Sequence, residues 1–192
     1  MSVFDYPAML FKMFLPKKEK TLHFPEIGWT ITIPKNFDLL NDKKMERQNN
    51  RGIAIMEALT EKKINYPGKN KFTAVHELQD VFSSDFTDLR SLPEMVWEKQ
   101  VADLQNAMLS SLYISYKTFA HVSITTATDA RQKGNITFNT FEIVITTPQR
   151  ELDRVRFFTT VYKDYGILIY MNFTETLIGE QMLTALRNST FS

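Results

Sequence analysis

The chain has 192 residues, 43% of them apolar and 23% charged, and carries 23 Lys and Arg against 22 Asp and Glu. That is the composition of an ordinary globular protein of about one domain, and it excludes a disordered, collagen-like or low-complexity chain. A net charge of +1 gives no global electrostatic case for nucleic acid or an anionic membrane. The absence of cysteine excludes disulfides, thiolate-bound zinc, iron–sulfur clusters and thiol catalysis.

The first twenty residues stand apart. Phe4, Tyr6, Met9, Leu10, Phe11, Met13, Phe14 and Leu15 form a dense apolar run, and Lys17, Lys18 and Lys20 follow it. Asp5 precedes the run, Lys12 interrupts it and no small-residue cleavage site is visible, so it does not read as a secretory signal. Residues 8–15 are also far too few to span a bilayer, which needs about 20. The expectation is a soluble, cytoplasmic protein. An apolar run of this kind, if exposed, is an interface or an aggregation hazard. Three readings stand. The run docks on its own domain as an extra helix, or it meets another protein or a second copy with Met supplying adaptable contacts, or it lies in a membrane surface assisted by its lysines. These eight side chains are the candidate partner interface. Residues 21–192 read as a single domain.

Two short strands are expected at residues 22–24 and 29–33, around the turn Pro25-Glu26-Ile27-Gly28. In the second, Trp29, Ile31 and Ile33 share one face and Thr30 and Thr32 the other. Asn41 is a plausible N-cap for a helix over residues 42–59, with Met45, Gly52, Ile53, Met56 and Leu59 as its core stripe. Gly52 costs stability inside a helix, and either permits close packing or marks a break. Residues 61–71 form a basic loop around Pro67-Gly68. A strand over 72–78 places Phe72, Ala74, His76 and Leu78 on one face, and residues 81–86 form another. Ser91-Leu92-Pro93-Glu94 matches a capping box. Trp97, Val101, Leu104, Met108 and Leu112 then follow at helical spacing, so this helix lies on a core.

The last third is strand-rich. Strands at 119–126 and 136–147 flank a polar turn over 127–135, and strands at 155–163 and 167–173 flank a tight hairpin at Asp164-Tyr165-Gly166. Both faces of the last two strands are apolar. Val155, Phe157 and Val161 oppose Phe158 and Tyr162, and Ile167, Ile169, Met171 and Phe173 oppose Leu168 and Tyr170. A sheet with one face in water alternates apolar and polar, so this one must be covered on both sides. A helix over residues 180–186 closes the chain. Short turns between consecutive strands imply antiparallel pairing. The fold class that follows is α+β, a three-layer α/β/α sandwich with a central, mostly antiparallel sheet.

This order of elements resembles the PsbP-like superfamily, which also holds Ran-binding proteins of the Mog type and bacterial DcrB-like proteins. The resemblance rests on Trp29-Thr-Ile-Thr-Ile-Pro-Lys-Asn-Phe37 after a first strand, the long mid-chain helix, the run of strands and the short terminal helix closing on Asn188-Ser-Thr-Phe191. It covers residues 21–192. It implies a non-enzymatic accessory, chaperone or partner-binding protein, and it supplies no catalytic motif.

The residues themselves offer little chemistry. His23, His76 and His121 lie far apart in sequence without metal-ligand spacing. There is no nucleophile elbow and no Gly-rich phosphate loop. The carboxylate pairs Glu94/Glu98 and Asp85/Asp88 read as solvated helix faces or caps. Lys62, Lys63, Lys69 and Lys71 beside Tyr66 and Phe72 have the mixture a nucleic-acid patch needs, but read better as a solvated loop in a near-neutral domain. No catalytic residue, metal or cofactor is expected. The partner is another protein or a second copy, with no nucleic acid; a membrane surface is the lesser alternative. An enzyme centred on His76 or His121 with a nearby carboxylate is the competing functional class.

Overall fold

The computed structural model describes residues 18–77, 79–117 and 121–192. The strands β1 (Lys20–Phe24), β2 (Trp29–Ile33) and β3 (Asp38–Leu39) come first, then helix α1 (Asp42–Thr60). The hairpin β4 (Lys69–His76) and β5 (Asp80–Asp88) leads into helix α2 (Glu94–Tyr116). Four strands follow, β6 (Ser123–Lys133), β7 (Ile136–Thr146), β8 (Glu151–Tyr162) and β9 (Tyr165–Phe173). Helix α3 (Thr176–Asn188) and the short β10 (Thr190–Phe191) complete the chain.

Seven strands form the central sheet in the order β3-β4-β5-β9-β8-β7-β6, every neighbour antiparallel. Both of its central faces are covered, as the apolar patterning of β8 and β9 requires. On one face Phe72, Phe82, Phe86, Phe158, Ile167 and Ile169 meet Trp29, Ile31 and Ile33 of β2 together with Met182 and Leu183 of α3. On the other, Ile143, Val155, Phe157 and Leu168 meet Met56 of α1 and Trp97, Val101 and Leu104 of α2. The fold is therefore α+β with a large antiparallel sheet between two covering layers. One of those layers mixes α3 with a second, three-stranded sheet, β1-β2-β10. Trp29, with no exposed surface, anchors it between Phe24 and Phe191, whose ring stacks on it at 5.6 Å. Across the β7–β8 pair, Glu142 takes ion pairs from Arg154 and Arg156.

Several local expectations are corrected. The capping box does not form: Pro93 is the N-cap of α2, and the Ser91 hydroxyl donates instead to the carbonyl of Asp88. The ring of Pro93 sets the entry to the helix, while Arg90 and Ser91 are tied back to Asp88. The polar stretch over 127–135 is mostly strand, with only Gly134, at φ +58°, and Asn135 turning the chain. β6 escapes a patterning argument because it is an edge strand exposed on both faces, with Asp129 and Arg131 discouraging a neighbour. The β8–β9 turn is Lys163-Asp164, both at positive φ, with Tyr165 and Gly166 already in β9. This is the backbone of a type I′ hairpin. β3, β10 and the first turn of α3 were not foreseen. Leu78 lies outside the described residues.

Asn41 does cap α1, accepting from the amide of Lys44 at 3.0 Å. The helix runs through Gly52 without a break, but it does not pack closely there. Of its stripe only Met56 is buried, and a Cβ placed on Gly52 would meet nothing within 4 Å. Gly166 is the opposite case, since a Cβ there would strike the ring of buried Trp97 at 2.4 Å.

These two glycines predict opposite outcomes. Gly52→Ala should stabilise the fold by about 0.5–1 kcal/mol, by restricting the unfolded chain and improving helix propensity at no steric cost. Gly166→Ala should destabilise it by about 1–3 kcal/mol through overpacking. Urea midpoints of the two variants against the parent check both signs.

Candidate functional site

The incomplete packing of α1 leaves an open cleft of about 730 Å³ between that helix and the central sheet. A glycine where the stripe calls for a bulky side chain opens its roof. Its walls are apolar: Ile53 and Met56 from α1, Leu104 and Met108 from α2, and Phe157 and Leu168 from the sheet. Its floor is polar, because the inward positions of β4 and β5 nearest α1 carry Asn70, Thr73, Ser83 and Asp85. Apolar walls with a few placed polar groups are the usual make-up of a small-molecule site.

Asp85 is the focus of the floor. Thr73 Oγ1 donates to Asn70 Oδ1 at 3.2 Å, which orients the amide so that Asn70 Nδ2 donates to Asp85 Oδ1 at 2.8 Å. No ion pair reaches Asp85 from the described residues. Burial pushes its carboxyl up to about 6, against the lowering effect of Asn70. Beside it the Tyr66 hydroxyl is buried next to Thr87, and neither group makes a well-aligned hydrogen bond. Burial first, and the Asp85 charge second, push the Tyr66 phenol well up. Gly68 lets that ring lie where it does, since a Cβ there would overlap it. Further along, the Tyr170 hydroxyl donates to Asn172 Oδ1 at 3.3 Å, and Asn172 Nδ2 donates to Asp153 Oδ1 at 2.7 Å. Burial pushes the Asp153 carboxyl up to about 6 as well, with the charges of Asp80 and Glu151 adding to it.

A second recess of about 780 Å³ lies between α2 and the strands β6 to β8. Thr and Asn side chains share its lining with apolar ones such as Trp97, Val101 and Phe141, Glu94 and Glu98 lie on its helical wall, and among the described residues the Trp97 indole N–H and the Thr140 hydroxyl are buried without partners.

The residues singled out in the sequence fare differently. Phe4, Tyr6, Met9, Leu10, Phe11, Met13, Phe14 and Leu15 lie outside the described residues. His76 and Asp80 are brought together as cross-strand partners at 3.0 Å. The other Asp80 oxygen accepts from the Thr174 amide and hydroxyl, so this carboxylate holds the β9–α3 turn. His23 contacts the Thr30 hydroxyl at 2.9 Å, and His121 is exposed at φ +67°. The basic patch does not assemble: Lys71 pairs with Glu26, Phe72 is in the core and Tyr66 is on the cleft wall. Asp88 pairs with Arg90, whereas Asp85 is half-buried on the floor of the cleft. The missed signal is the alternation Val81-Phe82-Ser83-Ser84-Asp85-Phe86 in a sheet covered on both sides. Such a strand must bury its charged residue. Among the described residues no group of three or more His, Asp or Glu could hold a metal ion, and no helix is long and apolar enough to cross a membrane.

No protein-family model matches this chain, and no curated protein matches it in sequence. Its fold is similar to the solution structure of cyanobacterial PsbP (CyanoP) from Synechocystis sp. PCC 6803, with a TM-score of 0.54 over 93% of this chain and 95% of that one. The identity is 7%, so the likeness is one of fold, which does not by itself carry function. The chain has a PsbP-like fold.

The two raised carboxyls fix a direction for stability against pH. Asp85 and Asp153 have folded values of about 6, above their ordinary 3.8. Between those limits the folded state binds protons that the unfolded chain has released, so stability falls as pH rises from about 4 to about 6 and is lowest above that window. Asp85→Asn should therefore gain about 1–3 kcal/mol at pH 7.5, where each unit of raised pKa costs about 1.4 kcal/mol. It should gain much less at pH 4. Denaturant titrations at the two pH values measure the difference.

Proposed function

We propose that this chain is a non-catalytic accessory protein that holds another protein through the apolar run Phe4, Tyr6, Met9, Leu10, Phe11, Met13, Phe14 and Leu15. One observation carries the reading. Among the described residues, β2, β10 and α3 cover one face of the sheet and α1 and α2 the other, and the eight large apolar side chains lie ahead of the first strand in sequence, before Lys20. β1 is also an edge strand of the small sheet, and its first residue, Lys20, pairs with Ile33 at the end of β2. β1 thus begins at a sheet margin. The PsbP-like fold supports the same reading, since the resemblance to that superfamily, including its Mog-type and DcrB-like branches, implies accessory and partner-binding roles.

The competing enzyme reading has less support. The carboxylate beside His76 is engaged by Thr174, which suits a structural pair. The floor of the cleft under α1 gathers hydrogen-bonding groups that suit holding rather than proton transfer, which needs an acid or base within reach of a second reacting group.

A photoreactive benzoylphenylalanine in place of Phe11, combined with a chain starting at residue 18, tests the proposal. The shortened chain should melt within about 2 °C of the parent, a difference worth less than about 1 kcal/mol at this size. Irradiation in the native cells should yield a discrete adduct with a second polypeptide. Crosslinks confined to residues 18–192, with a clear fall in melting temperature on truncation, would show that the run belongs to its own domain. Crosslinks to lipid alone would turn the proposal into the membrane reading.

A further inference from the structure

The cleft under α1 holds a charge that nothing in the described residues balances. Asp85 sits on its floor with one oxygen occupied by Asn70 and no hydrogen bond or ion pair to the other. Among the described residues lining the cleft, Asp42 and Glu46 at the rim outnumber the one cation, Lys69, and Lys71 of the same strand is committed to Glu26. Beside the carboxylate the Tyr66 hydroxyl is buried on the wall against Thr87, without a well-aligned hydrogen bond. A half-buried anion without a counter-charge is costly, and so is a buried hydroxyl without a well-made hydrogen bond. Both costs fall if a positively charged hydrogen-bond donor enters.

We infer that this cleft binds a small organic cation, an ammonium group on an apolar body, with the ammonium seated on Asp85 and the body between α1 and the sheet. The geometry supports each part. Ammonium donors match the second Asp85 carboxylate oxygen and the adjacent Tyr66 phenol oxygen. Ile53, Met56, Leu104, Met108, Phe157 and Leu168 offer the body a polarisable apolar wall. The volume, about 730 Å³, lies within the range of ligand pockets. The net negative rim favours a cation over a neutral molecule or an anion. The Asp85 carboxyl, raised to about 6 by burial, is ionised at neutral pH at a cost that a bound cation removes. This site is separate from the proposed protein contact and does not rest on it.

The test uses 2-phenylethylamine as the probe, with 2-phenylethanol and 3-phenylpropionate as its neutral and anionic counterparts. Methyl NMR spectra of the full chain are recorded through each titration at pH 7.5. The amine should shift the methyls of Ile53, Met56 and Leu168 saturably, with a dissociation constant of about 1 mM or tighter. The alcohol should bind at least about tenfold more weakly, and the acid should not bind. Asp85→Asn should weaken the amine by about tenfold or more. Lowering the pH to 5 should weaken it as well, because the carboxylate becomes neutral. Gly52→Phe provides the second variant. Its Cβ enters open space, so the helix is retained while the ring fills the cleft, and binding should be lost. No saturable shift at these methyls, equal binding of amine and alcohol, or an undiminished affinity in Asp85→Asn or Gly52→Phe overturns the inference.

Discussion

Burial of β8 and β9 on two sides at once is the constraint on which this molecule depends. Phe157 and Leu168 face the helices while Phe158 and Ile169 face the small sheet, and all four are buried. A strand pair of that kind is stable only as the middle of three layers. The β8–β9 hairpin accordingly lies inside the sheet, with β5 on one flank and β7 on the other. The two edges are then handled by different means. β3 is only two residues long, and β6 carries charged and polar side chains along its length; both discourage further pairing.

The two covers are unequal, and the inequality is what gives the protein a site. The small sheet and α3 fit their face closely: Ile31, Ile33 and Met182 are essentially without exposure, and Phe191 closes over Trp29 from the far end of the chain. α2 leaves a recess toward β6 to β8 but fits closely where Trp97 lies against Gly166, a place where any larger residue would collide. α1 does not. It is polar along most of its length, only Met56 is buried, and Gly52 leaves space where a side chain would otherwise close the gap. The sheet below carries Asp85 and Asn70 at that place, groups that a close-packed interior would have to satisfy more fully. Open roof and polar floor occur together, so the cleft is a coherent feature of sequence and not a packing defect at one residue.

The layer architecture was legible because it follows from large side chains in regular alternation: β2, β8, β9 and the stripe of α2 all lie where their periods put them. What escaped the sequence was local competition. Ser91 is not the N-cap because the helix starts only after Pro93, and the Ser91 hydroxyl ties back to the Asp88 carbonyl instead. β6 carries no period because neither face is buried. β10 is two residues that become a strand only because β2 is there to pair with them. The site was illegible for a related reason. Asp85 looks like any surface acid until β5 is known to lie between two covers, and the role of Gly52 appears only once the distance from α1 to the sheet is known. The apolar run before β1 was visible at once, yet its composition alone leaves its contacts open.

Native-state amide hydrogen exchange tests the layered account most directly. If both faces of the sheet are shielded, the amides of Phe157, Phe158, Leu168 and Ile169 exchange only through global unfolding, while those in the middle of β6 exchange through local opening and are faster by orders of magnitude. Exchange of β8 and β9 at the rate of β6 would mean that one face of the central strands is open to water, and the account would be contradicted.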